Sequence, residues 1–140
     1  MAAKRYVSTL CSTALTLVLL AAPAIAAWDP ARYADESTLE FLTVSPDDGE
    51  HWSKVWLVVL EDQLYIRLGS RAAARMNGNT RAPIVSIRIA KEEFADVEAI
   101  AVPEMAEAVA AAMAEKYSTD VFVRYRDHPL TMKLRPAQAP

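Results

Sequence analysis

Polar and apolar residues alternate along most of the chain beyond position 37, and the alternation changes period in two places. TLEFLTV, Thr38 to Val44, alternates well enough to predict a strand, and SPDDGE, Ser45 to Glu50, is turn chemistry. VWLVVL, Val55 to Leu60, is apolar on both faces, as a strand buried in a barrel or sandwich is. Glu61-Asp62-Gln63 makes a tight connection into LYIRL, where Leu64, Ile66 and Leu68 share one face and Tyr65 and Arg67 the other. The leucine face takes the core, so Arg67 is expected to look elsewhere.

At Gly69-Ser70 the period moves from two to about 3.6. Ser70 is a favoured N-cap, Arg71 to Asn77 are mostly good helix formers, and Gly78 is a natural C′ stop, which predicts a helix of about two turns directly after a strand. IVSIRIA then returns to strand, with Val85, Ile87 and Ile89 inward and Ser86 and Arg88 opposite; the charged turn KEE leads to another strand, Phe94 to Val102. The second change of period begins at Pro103. PEMAEAVAAAMAEKY carries Glu104 and Glu107 in its first turn, Lys116 in its last, and one apolar stripe of Met105, Val109, Ala112 and Met113. VFVRYR and LTMKLRP read as strands separated by Asp127-His128-Pro129, and Asp29-Pro30 opens a short helix over DPARYADES.

The N-terminus is organised differently. Lys4 and Arg5 form a charged region, Leu10 to Leu20 an apolar core, and Ala24-Ile25-Ala26 a small-x-small cleavage site, so residues 1–26 are expected to be a signal peptide. The apolar run is shorter than the roughly 20 residues that span a bilayer. The expected product is exported, periplasmic or secreted, with residues 27–140 as a single domain and no membrane association after cleavage. Cys11 falls within the signal, so the mature chain has no thiol for disulfides, catalysis or metal. Without Lys4 and Arg5 it carries 13 basic against 18 acidic residues, a net charge of −5 that argues against nucleic-acid binding.

Against that acidic background, residues 63–91 hold five arginines and one lysine and no acid. A strand running through Gly-Ser into a helix presents backbone N–H groups and the positive end of the helix dipole at one point. Arg71 stands in the first turn, Arg75 one turn on along the same face, and Arg67 on the non-leucine face just before it. Guanidinium groups make bidentate contacts to phosphate, so Arg67, Ser70, Arg71 and Arg75 form a candidate anion cradle; the other reading is a solvated cationic face. Other chemistries find less support. His51 and His128 lack metal-ligand spacing, Ser70 has neither G-x-S-x-G context nor a lysine three residues on, and no carboxylate pair lies in an apolar segment, Glu98 being the nearest approach.

LYIRLGSRAAARMNGNTRAPIVSIRI resembles the flavin-binding core of the pyridoxamine 5′-phosphate oxidase-like split β-barrels, where an aromatic-ended strand runs into Leu-Gly-Ser-Arg, a short helix, an Asn-rich turn and a strand. WLVVLEDQLYIR is similar to a small branch related to the deazaflavin-dependent nitroreductases, and the likeness spans roughly Thr38 to Pro136. It implies a mainly β (α+β) fold: a split barrel of about six strands, with one short helix after the second or third strand and a longer helix in the C-terminal half. It further implies FMN or deazaflavin as cofactor, with Arg71 on the phosphate, Tyr65 and Ile66 lining the flavin and Lys54 near a basic phosphate ligand. A homodimer holding a small molecule, and a flavin-dependent oxidoreductase activity, belong to the same expectation. Ala72 stands where the oxidases have a lysine, leaving Arg67 or Arg75 to replace it, and only Arg124 and Arg126 answer to the oxidases' substrate-phosphate ligands. The alternative is a non-catalytic module on the same barrel that holds another anionic ligand, haem or a protein partner.

Overall fold

The structure, a computed structural model, describes residues 27–117 and 130–137. Six strands are joined by antiparallel pairings into a closed barrel: β1 (Thr38–Ser45), β2 (Gly49–Leu60), β3 (Gln63–Leu68), β4 (Ile84–Ile89), β5 (Glu92–Ala101) and β6 (Leu130–Pro136). The order around the barrel is β1-β2-β3-β6-β5-β4, so the last strand in the sequence lies between β3 and β5. Helix α1 (Ser70–Asn77) follows β3 and helix α2 (Ala106–Lys116) follows β5. The expected strand VFVRYR, the signal segment, His128, Arg124 and Arg126 lie outside the described residues.

Period-two alternation builds the interior. Leu39, Phe41, Leu57, Leu64, Ile66, Leu68, Val85, Ile87, Ile89, Val97 and Leu134 are buried together, and α1 adds Ala73 and Met76 to the same core. A second, smaller cluster lies outside the barrel wall, where Val109 and Met113 of α2 cover Val58, Tyr65 and Val102. The apolar stripe expected on the long helix is therefore packing surface, with Met105 and Ala112 at its margin.

Several boundaries differ from expectation for local reasons. Strand β2 starts at Gly49, where φ is +64°, so the turn is shorter and the strand longer than the apolar run VWLVVL suggests. The N-cap of α1 is Gly69; Ser70 is already helical and no side chain caps the end. Gly78 closes α1 at φ −86° and ψ 0°, without the left-handed conformation of a C′ glycine. The N-terminal helix is a single 3₁₀ turn, Pro30–Tyr33, and Pro103–Met105 forms another before α2. Glu92 and Glu93 of KEE belong to β5, because the chain reverses at Ala90, which has φ +54°.

Candidate functional site

The cationic segment divides once it folds. Arg88 meets Glu93 at 2.8 Å and Arg81 approaches Asp96 at 4.0 Å, so β5, paired to β4, supplies counter-ions to the later arginines. Of the earlier three, Arg75 lies 3.9 Å from Asp48 of the β1–β2 turn, and Arg67 and Arg71 have no carboxylate within 4.0 Å among the described residues. Arg67, Arg71 and Arg75 line a cavity of about 990 Å³, together with Gly69, Ser70 and Ala72 of the β3–α1 connection and His51, Trp52, Ser53, Lys54, Val55 and Trp56 of β2. That is the upper end of the roughly 300–1,000 Å³ typical of small-molecule and cofactor sites. Four cationic side chains and a histidine line it, and no acid does among the described residues.

The local sequence explains this placement. Alternation in β3 commits Leu64, Ile66 and Leu68 to the barrel interior and turns Arg67 outward, while the i, i+4 spacing of α1 puts Arg71 and Arg75 on one face. Along β2, Val55 and Leu57 are core residues, and Trp52, Lys54 and Trp56 alternate with them toward the cavity. Arg88 covers one face of the Trp52 indole, its Cζ 3.7 Å from the centroid, and Tyr117 stacks on Trp56 at 5.6 Å with planes inclined by 27°. Tyr117 is held in turn by its hydroxyl, which lies 2.7 Å from the carbonyl of Leu57 and 2.6 Å from that of Ser37. Both indoles therefore have fixed planes, which suits a flat aromatic ligand.

The cavity also holds unsatisfied donors. Nε of Arg67, Nε of Arg75 and Oγ of Ser53 are buried with no hydrogen-bond partner among the described residues, and all three residues line the wall. Burial pushes the Arg67 guanidinium pKa below its ordinary value. The first turn of α1 contains no acid, and its free backbone N–H groups have no side-chain cap. Buried polar groups are normally paired, so this concentration fits an anion whose oxygens would accept from them. A phosphate is well matched to such a cradle.

Of the expected site residues, Lys54, Arg67, Ser70, Arg71 and Arg75 are brought together at the cavity. Tyr65 and Ile66 are not. Ile66 is 0% exposed inside the barrel, and Tyr65 is buried beneath α2. Ala72, which stands where the oxidases have a lysine, lines the same cavity as Arg67 and Arg75. His51, Trp52 and Ser53 were hidden by the turn-like sequence around Gly49; the alternation of Trp52, Lys54 and Trp56 against Val55 and Leu57 is the signal that could have found them. No group of three potential metal ligands occurs among the described residues, and no helix among them is long and apolar enough to cross a membrane.

No family model matches the chain, and no curated protein shows significant similarity to it. Solved structures do. HutZ, the heme storage protein from Vibrio cholerae, superposes with a TM-score of 0.58 at 21% identity, over 78% of this chain and 88% of that one. The conserved hypothetical protein Rv2991 from Mycobacterium tuberculosis gives 0.56 at 18% identity, over 82% and 84% of the respective chains. An F420-H2 dependent reductase, FDR-A, gives 0.53 at 13% identity, over 71% of this chain and 95% of its own. At these identities the likeness is one of fold.

Proposed function

Taking as premise that the chain has the split-barrel fold of the pyridoxamine 5′-phosphate oxidase-like superfamily, we propose that its cavity binds a flavin or deazaflavin by the phosphate. The observation that carries this reading is the wall of Lys54, Arg67 and Arg71, free of acids among the described residues, around the uncapped start of α1. The phosphate accepts from the N–H groups at Ser70 and Arg71 and from the guanidinium groups of Arg67 and Arg71. Trp52 and Trp56 give the ring system a wall to lie against. When bound, the isoalloxazine or its deaza analogue supplies hydride or electron transfer to a small molecule; this chain supplies placement and electrostatics. That an F420-dependent reductase shares the fold supports a cofactor of this kind.

The test is a titration of the purified protein with FMN and with riboflavin, which lacks the phosphate. FMN should bind and raise the melting temperature, riboflavin should bind far more weakly, and Arg71→Ala should weaken FMN by about 1.5–3 kcal/mol with folding nearly intact. Equal affinity for both compounds would refute a phosphate site. Haem is a second reading, favoured by His51 in the cavity wall and by a heme storage protein with the same fold. A hemin spectrum that shifts on binding and reverts in His51→Ala would select it.

Export and homodimerisation belong to the same proposal. Residues 1–26 have the charge, apolar core and cleavage pattern of a signal, so mass spectrometry of natively produced protein should find Ala27 at its N-terminus. Light scattering should give twice the chain mass.

A further inference from the structure

The cation content of the cavity exceeds what one phosphate can use. A phosphate monoester carries about −1.5 to −2 at neutral pH, whereas four cationic side chains line this wall with no acid among them. The excess is local. Gly69, Ser70 and Arg71 offer backbone N–H groups at the start of α1, and Arg67 adjoins them on β3. Arg75 stands a full turn further along, roughly 6 Å up the helix axis, with its Nε beside Asp48 of the β1–β2 turn.

Arg75 has its own unmet chemistry. Its Nε is buried without a hydrogen-bond partner among the described residues, and the nearest carboxylate, Asp48 on the β1–β2 turn, stands at 3.9 Å, beyond hydrogen-bond range. Ser53, only 8% exposed, has in the same cavity wall an Oγ without a partner among the described residues. Unpaired buried donors at two separate points are the complement of acceptor oxygens. Asp48 decides the class. Its charge beside Arg75 repels a dianion more than a monoanion, while the planar guanidinium fork fits a carboxylate. We propose that the cavity holds two anionic groups at once, a phosphate at the Gly69–Arg71 end of α1 and a carboxylate at Arg75, so that the small molecule bound beside the cofactor is a carboxylic acid.

The proposal rests on the flavin reading for its first anion only. Benzoate and benzamide, alike in shape and different in charge, serve as probes, titrated by calorimetry into the full chain with and without saturating FMN. Benzoate should bind the FMN-loaded protein roughly tenfold more tightly than benzamide, Arg75→Gln should remove that preference while moving FMN affinity by less than about twofold, and Asp48→Asn should tighten benzoate. Displacement of FMN by benzoate, loss of FMN binding in Arg75→Gln on the scale of Arg71→Ala, or equal affinity for the two probes would each overturn it. If FMN fails to bind but the free protein keeps an Arg75-dependent preference for benzoate, the carboxylate subsite stands and the flavin reading falls.

Discussion

Arg67 ought to stabilise the liganded protein and destabilise the free one. Its Nε is buried without a partner among the described residues and its guanidinium is desolvated, so the ligand-free fold carries a polar group that is worse off than in water. Leaving such a donor unpaired costs roughly 1–3 kcal/mol. Methionine keeps an unbranched stem against the wall and has no donor, so Arg67→Met should make the free protein more stable by about 1 kcal/mol, or about 4 °C in Tm for a domain of this size. The same change removes a charge-assisted contact to phosphate, weakening FMN by about 10- to 150-fold. The two effects make the melting curves change order. At an FMN concentration of 100 times the wild-type Kd, wild type gains about 2.7 kcal/mol, whereas a variant weakened tenfold gains about 1.4 kcal/mol. Calorimetric melting with and without FMN should therefore show the variant more stable when free and level with or below wild type when loaded. A variant that loses 1 kcal/mol or more when free, with unchanged FMN affinity, would make Arg67 a structural strut and sink the argument.

Other consequences concern the frame around the cavity. The Tyr33 hydroxyl, raised to about 12 by burial and by its hydrogen bond to Glu92, gives stability that is complete below pH 10 and lost between pH 10 and about 12; Tyr33→Phe should remove this alkaline step from urea stability measured against pH. Glu92 is held below its ordinary 4.5 chiefly by that hydroxyl and then by Arg32, so its share is present above pH 4.5 and lost as pH falls further, and Glu92→Gln should flatten the acid limb. Glu61 and Asp62 form the β2–β3 turn with φ of 49° and 57°; replacing them by Asn-Gly should add about 1 kcal/mol in a denaturant titration. Tyr117→Phe removes the hydroxyl facing the carbonyls of Ser37 and Leu57 and should lower stability by about 1–3 kcal/mol without changing FMN affinity, while Tyr117→Ala also frees Trp56 and should weaken FMN.

Local information accounts for most of what the sequence made visible. Alternation in LYIRL was enough to send Arg67 out of the barrel, and i, i+4 spacing was enough to align Arg71 with Arg75. Tyr65 shows where such reasoning stops. It shares the outward face of β3 with Arg67, but α2 returns over that face some 40 residues later and buries it, which no local pattern encodes. Arg81 and Arg88 were indistinguishable from the cavity arginines until strand pairing brought Asp96 and Glu93 beside them. The first half of β2 was lost for the opposite reason: Ser-Pro-Asp-Asp-Gly is so strong a turn signal that the alternation beginning right after it was absorbed into the turn.

Strand β6 gives the fold an order of completion. Until residues 130–136 have left the ribosome, β3 and β5 each present a row of unpaired N–H and C=O groups that only those seven residues can cover. A shortened or stalled chain is therefore an exposed template for pairing with its neighbours, and its hazard is association. The barrel has no closed edge before β6 is made, so a factor that keeps the nascent chain extended works with this topology.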